Sequence, residues 1–90
     1  TITPKFKVTL GVMPDYLFDG KGMRIDGVSK HKTASKFGIL RGDIVLKMGN
    51  IDVNDMMSYM QALSKFNKGD STTVKLDRKD KIIEINIVFQ

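Results

Sequence analysis

Cysteine and tryptophan are absent from these 90 residues, histidine occurs once and proline twice. Without Cys there is neither a disulfide framework nor a thiolate metal site. The single histidine, His31, lies between Lys30 and Lys32 and reads as an exposed surface side chain. A Ser-His-Asp arrangement would have to use it, and no pair of His, or of His with acids, has the spacing of metal ligands. No catalytic residue, metal ligand or cofactor is therefore expected, and the domain taken alone is not expected to be an enzyme. No apolar run approaches the ~20 residues that a membrane-crossing helix needs. The opening TITPKFKV has no hydrophobic signal-peptide region. It reads as a cut inside a larger protein, with any export signal upstream, and membrane insertion is not expected.

What is present is ordinary for one small globular domain, spanning residues 1–90. The formal net charge is +5, but its fifteen Lys and Arg are scattered among ten acids and twelve of them are Lys. A nucleic-acid binder would cluster that charge and interleave aromatics. Scattered lysines keep a surface soluble, so no nucleic acid is expected as a partner.

The stretch ILRGDIVLKMGNIDV, residues 39–53, organises the rest. Ile44, Val45, Leu46 and Met48 form an almost continuous apolar run, the pattern of a strand with both faces covered. Gly42-Asp43 and Gly49-Asn50 punctuate its ends. The tripeptide Arg41-Gly42-Asp43 spells a cell-adhesion motif by coincidence, because it forms the turn into a buried strand. Upstream, Phe6, Val8, Leu10 and Val12 alternate with polar residues, which predicts a half-buried strand. Asp15 to Gly22 is a loop whose Tyr16, Leu17 and Phe18 are expected to fold back on the core; the alternative is that they line one end of a groove. Met23 to Val28 is a second strand, interrupted at Asp26-Gly27. Thr33 to Gly38 reads as a short helix capped by Thr33 and closed by Gly38.

Asn54 is the expected N-cap of a longer helix running from Asp55 to about Phe66. Tyr59, Leu63 and Phe66 form its core stripe. Met56, Met60 and Leu63 form an adjacent stripe. Thr72 to Leu76 and Ile83 to Phe89 alternate as strands around a turn at Asp77-Arg78-Lys79-Asp80.

Two motifs carry a family resemblance. The central segment runs Ala34-x-x-Phe37-Gly38-Ile39-x-x-Gly42-Asp43-Ile44-Val45. The first strand ends in the apolar-Gly-apolar triplet Leu10-Gly11-Val12, continuing as Met13-Pro14-Asp15-Tyr16. Together they resemble a PDZ domain of the bacterial protease-associated type, most like the C-terminal module of secreted zinc aminopeptidases. Two departures stand out. His31-Lys32-Thr33 replaces a customary Gly-Gly-Pro, so with the bulky Phe37 the short helix must sit further out or a neighbour must be smaller. The last turn also lacks the usual Gly.

The resemblance implies a mainly β (α+β) fold: a small, partly open antiparallel barrel capped by one short and one longer helix. It implies a peptide-binding or docking module of a secreted protease, periplasmic or extracellular, that holds C-terminal tails by adding a strand to a sheet edge. The partners would be a peptide or protein C-terminus and the parent catalytic domain. The rival reading is a structural module that packs against its parent and binds no free peptide.

On these residues, the carboxylate-binding loop would be Leu10, Gly11 and Val12. The groove would be built by Met13, Met56, Met60 and Leu63, with Lys5 or Lys7 supporting the carboxylate. Gly11 has no side chain to block a carboxylate or the unusual dihedrals of such a loop. Pro14 would remove one ladder bond and make recognition shallow.

Overall fold

The structure, a computed structural model, describes residues 8–90. The elements in order are β1 (Val12–Pro14), β2 (Met23–Val28), α1 (Thr33–Lys36), β3 (Ile44–Met48), β4 (Ile51–Asp52), α2 (Met56–Leu63), β5 (Ser71–Arg78) and β6 (Lys81–Val88). Every strand pairing is antiparallel, in the order β1-β2-β3-β5-β6 with β4 beside β3, and the sheet is not closed. The mainly β, PDZ-like architecture with two short helices matches the expectation.

The β5–β6 hairpin shows how the pattern becomes structure. Val74, Leu76 and Ile87 turn inward and are buried, while Lys75, Glu84 and Asn86 face out. The strands pair without interruption from Ser71↔Val88 to Arg78↔Lys81. The turn is only Lys79-Asp80, both left-handed at φ 52° and 66°. Paired left-handed residues match the twist of the flanking strands, which is why the expected four-residue turn is shorter and both strands are longer. In β3 the register shifts between Val45 and Lys47, so Val45 and Met48 are both fully buried.

The first strand differs from its reading. Val8 and Leu10 are buried and Thr9 is exposed, as alternation requires, but strand pairing among the described residues starts at Val12. Lys5 and Lys7 lie outside the described residues. β2 runs through Asp26-Gly27 without a break; its partner register steps from Met13↔Gly27 to Pro14↔Ile25, leaving Asp26 unpaired as a bulge.

The helix caps also move. The N-cap of α2 is Asp55, not Asn54. The Ser58 N–H donates to Asp55 Oδ1 at 2.8 Å, and the Asp55 N–H donates to Ser58 Oγ at 3.0 Å. Three residues beyond Asp55 stands a hydroxyl that closes this reciprocal box; three beyond Asn54 stands Met57, which cannot. The backbone N–H of Ser58 also holds the Asp55 carboxyl below its ordinary pKa. α2 ends at Leu63, and the chain tightens into three-residue turns, with Phe66 N–H donating to the Leu63 carbonyl at 3.3 Å. Phe66 then lies against Phe89, ring centres 5.1 Å apart.

Thr33 begins α1 instead of capping it. It is buried, and its Oγ1 accepts from the Gln90 N–H at 3.2 Å. Phe37 is accommodated at the helix end, half-buried at the edge of the core. Tyr16 and Leu17 do not fold back: they are 80% and 92% exposed. The Leu17 N–H donates to Asp15 Oδ1 at 3.0 Å, a local turn that lifts the pair off the core. Only Phe18 is half-buried, its ring over Gly20.

Candidate functional site

β1 lies at one end of the strand order and pairs only with β2 among the described residues. Which of its backbone groups face the open side follows from two bonds. The Ser29 N–H donates to the Gly11 carbonyl at 2.9 Å, and the Asp15 N–H donates to the Arg24 carbonyl at 2.9 Å. In a planar trans peptide the C=O of one residue and the N–H of the next point in opposite directions. The Val12 N–H therefore points away from β2, and so does the Pro14 carbonyl. The open edge thus carries the alternate positions 12 and 14 of an antiparallel ladder. Pro14 can offer an acceptor there but no donor.

The segment Leu10-Gly11 leads into this edge at Val12. The Ala34 N–H donates to the Leu10 carbonyl at 2.8 Å, so the Leu10 and Gly11 carbonyls are both held by the segment 29–34. Gly11 has φ +76°. Consecutive carbonyls held on one side leave the Gly11 and Val12 N–H groups on the other, the arrangement of an anion-binding nest. One of these donors is engaged at rest: the Gly11 N–H donates to Thr9 Oγ1 at 3.0 Å. Glycine is required here for a second reason. A Cβ built on Gly11 would lie 2.2 Å from Lys32 Cβ.

The side chains named from the sequence divide into three groups. Leu10 and Leu63 are buried in the core, below the surface. Val12, Met56 and Met60 are half-buried and pack against that same core, Val12 from the strand and the two methionines from one face of α2. Met13 points to the opposite face from Val12, 59% exposed, with its methyl over Gly27. A concavity of about 220 Å³ opens where β1 runs into its loop; Asp15, Tyr16 and Phe18 line one side, Asn54, Asp55 and Met56 the other. This places Met56 opposite the exit of β1, and Met60, one turn on, shares its face.

Two features escaped the sequence reading. The first is the packing of Lys32 on Gly11, from a connector that reads only as polar. The second is structural. Asp43 is 2% exposed; its Oδ1 accepts from Arg78 Nε at 2.9 Å and its Oδ2 from Arg78 Nη2 at 2.7 Å. Arg78 Nη2 also donates to the Gly38 carbonyl at 2.9 Å, and the Leu40 N–H donates to Asp43 Oδ2 at 2.9 Å. The Asp43 carboxylate raises the Arg78 pKa above its ordinary value. The carboxylate of the Arg41-Gly42-Asp43 tripeptide is therefore enclosed and not displayed. Among the described residues no group of three His, Asp or Glu side chains is placed to hold a metal ion, and no helix is long and apolar enough to cross a membrane.

Comparison with known proteins agrees with this geometry. The PDZ domain family profile matches residues 7–88. Over 79 residues, 87% of this chain, the sequence is 37% identical to the serine protease Do-like HtrB of Bacillus subtilis; the chain spans 17% of that protein's length. The fold superposes with a TM-score of 0.84 on an aminopeptidase N family protein of Idiomarina loihiensis, at 19% identity over 94% of this chain and 14% of that one. It superposes with a TM-score of 0.78 on the HtrA3 PDZ domain bound to a phage-derived ligand, FGRWV, at 15% identity over 93% of this chain and 86% of that one. HtrA-type protease AlgW with a decapeptide gives a TM-score of 0.81, at 18% identity over 92% of this chain and 29% of that one. With its profile matched almost end to end and its glycine turn and open strand edge in place, this chain belongs to the PDZ domain family.

Proposed function

We propose that this domain is the peptide-binding module of a bacterial secreted protease, and that it captures free C-termini. The observation that carries the reading is the edge of β1, where a nest of N–H groups precedes an unpaired Val12 position. A terminal carboxylate would sit on the Gly11 and Val12 N–H groups, and the preceding residue or two would pair with Val12 as an added strand. The last side chain would lie against Val12, Met56 and Met60, an apolar wall whose flexible methionines tolerate several shapes. Leu10 and Leu63 would form its floor, and Met13 would border it from the outer face.

The peptides named with AlgW and the HtrA3 PDZ domain support this use of the fold. For the parent protein, the 37%-identical relative supports a Do-like serine protease. The alternative parent, the zinc aminopeptidase suggested by Leu10–Tyr16, has a fold neighbour in an aminopeptidase N family protein. The sequence relative weighs more, because a fold likeness at 19% identity reports architecture alone. In either parent the chemistry would belong to another domain, and a periplasmic or extracellular location would follow from the protease class.

The reading is tested by titrating the domain with FGRWV as the free acid and as the C-terminal amide. The acid should bind and amidation should remove most of the affinity; Met60→Glu should weaken the acid similarly. Equal binding of acid and amide rejects the carboxylate nest. No binding by either leaves the rival role, packing against a parent domain.

A further inference from the structure

Two surface features take no part in the proposed peptide capture, and their chemistries match. The first is a tab in the β1–β2 loop, Asp15-Tyr16-Leu17-Phe18-Asp19. Tyr16 and Leu17 are 80% and 92% exposed, more than any other large apolar side chain among the described residues. The Leu17 N–H donates to Asp15 Oδ1 at 3.0 Å, so the pair projects on a fixed turn. An acid stands at each end: Asp15 Oδ2 lies 3.8 Å from Arg24 Nε, and Asp19 makes no ion pair among the described residues. The second feature is a socket of about 280 Å³, lined by Lys21, Leu46, Lys47, Asp52, Lys75 and Ile82. It opens on the outer face of the sheet, because Lys47 and Lys75 alternate with the buried Met48, Val74 and Leu76. Leu46 is half-buried and Ile82 is 56% exposed, which gives the socket apolar surface. Lys47 and Lys75 are direct cross-strand partners. Like charges placed opposite each other on neighbouring strands are unfavourable. Asp52 and Glu84 flank the two lysines in the same row, yet among the described residues neither forms an ion pair with them.

We propose that the tab of one copy docks into the socket of a second copy, making the domain a weak two-fold dimer. Tyr16 and Leu17 would cover the apolar surface of Leu46 and Ile82, and the acids of the tab would meet the unpaired lysines of the partner. The tab does not fill the socket of its own chain, since Leu17 stays 92% exposed. Tab and socket adjoin, because Lys21 follows Asp19 by two residues. One two-fold axis can therefore seat both tabs at once, in a closed, self-complementary contact. One loop and one shallow socket per copy lie at the small end of specific interfaces, so association should be weak. It should also fall with salt, because the pairing charges stay near the surface.

Sedimentation velocity on the domain, from micromolar to millimolar protein at low and moderate ionic strength, tests this without any peptide. The average mass should rise from monomer toward dimer with concentration, and rise less at the higher salt. Two variants divide the contact: Leu17→Ser breaks the tab, and Lys47→Gln combined with Lys75→Gln breaks the socket. Both change exposed or half-buried side chains, and thermal melts confirm folding. Each should raise the dimer dissociation constant about tenfold or more. An equimolar mixture of the two variants retains one intact tab facing one intact socket. Groups that touch do not lose their energies additively, so the mixed dimer should form more tightly than the mean of the two variant dimers beyond the statistical expectation. A native domain that stays monomeric at millimolar concentration would overturn the proposal. So would a dimer indifferent to both variants, or a mixture without that excess, which would place tab and socket in separate contacts.

Discussion

Gly42 and Gly11 share a backbone conformation, with φ +92° and +76°, but their surroundings are opposite. A Cβ on Gly42 would meet nothing within 4 Å, whereas one on Gly11 would run into Lys32. The Gly42 turn delivers Asp43 into a closed network with Arg78, the Gly38 carbonyl and the Leu40 N–H. The Gly11 segment delivers a three-residue strand with an open edge. One end of the domain has its polar groups matched internally; the other leaves backbone donors and apolar surface for something else. The same local device, a glycine of positive φ entering a strand, serves stability at one end and, in the proposed function, a binding edge at the other.

The contrast is broken most strongly at Arg78. Arg78→Met keeps the stem but leaves Asp43 buried without its cation. Removing one partner of a buried pair costs about 3–5 kcal/mol. Because the Arg78 side chain is 27% exposed, the lower end, about 3 kcal/mol, is expected. Denaturant unfolding measures it, and a midpoint close to that of the native domain would show that the network is not a clamp. Peptide affinity of the folded fraction should be unaffected.

Gly42→Val tests backbone strain in the same region, since nothing lies within 4 Å of the new Cβ. A loss of about 1–3 kcal/mol is expected in a thermal or chemical melt. An unchanged melt would mean that this turn relaxes freely.

The smaller test lies at the other end. Pro14→Ala would restore the missing N–H on the open edge of β1, and one such bond is worth about 0.5–1.5 kcal/mol. Affinity for a C-terminal peptide should rise roughly three- to tenfold, with some preference appearing two or three residues upstream. Unchanged affinity would leave Pro14 with only its other role, blunting an exposed edge against aggregation.

How far these regions could be read from sequence differs for physical reasons. The Leu10-Gly11-Val12 segment and the Gly42-Asp43 turn are local: glycine and period-two alternation signal them within a few residues. The Asp43–Arg78 pair spans 35 residues. Arg78 sits in Asp-Arg-Lys-Asp, which reads as a solvated turn until two left-handed residues shorten that turn to Lys79-Asp80. The sequence alone does not fix the α2 cap, because Asn54 and Asp55 are equally good caps; Ser58 decides between them. β4 is only Ile51–Asp52, too short to leave a pattern. Tyr16 and Leu17 look like core residues by composition, and an Asp15 side-chain bond to the backbone overrides that. The contact of Lys32 with Gly11 is not periodic and has no signature in either segment.

Amide chemical shifts of the labelled domain, followed by NMR during titration with FGRWV as the free acid, test the central claim most directly. The account predicts that Gly11, Val12, Met56 and Met60 shift together and saturate with one dissociation constant. Gly38, Leu40, Asp43 and Arg78 should stay still. Shifts centred on the Asp43–Arg78 end, or a Gly11 amide indifferent to ligand while others saturate, would contradict it.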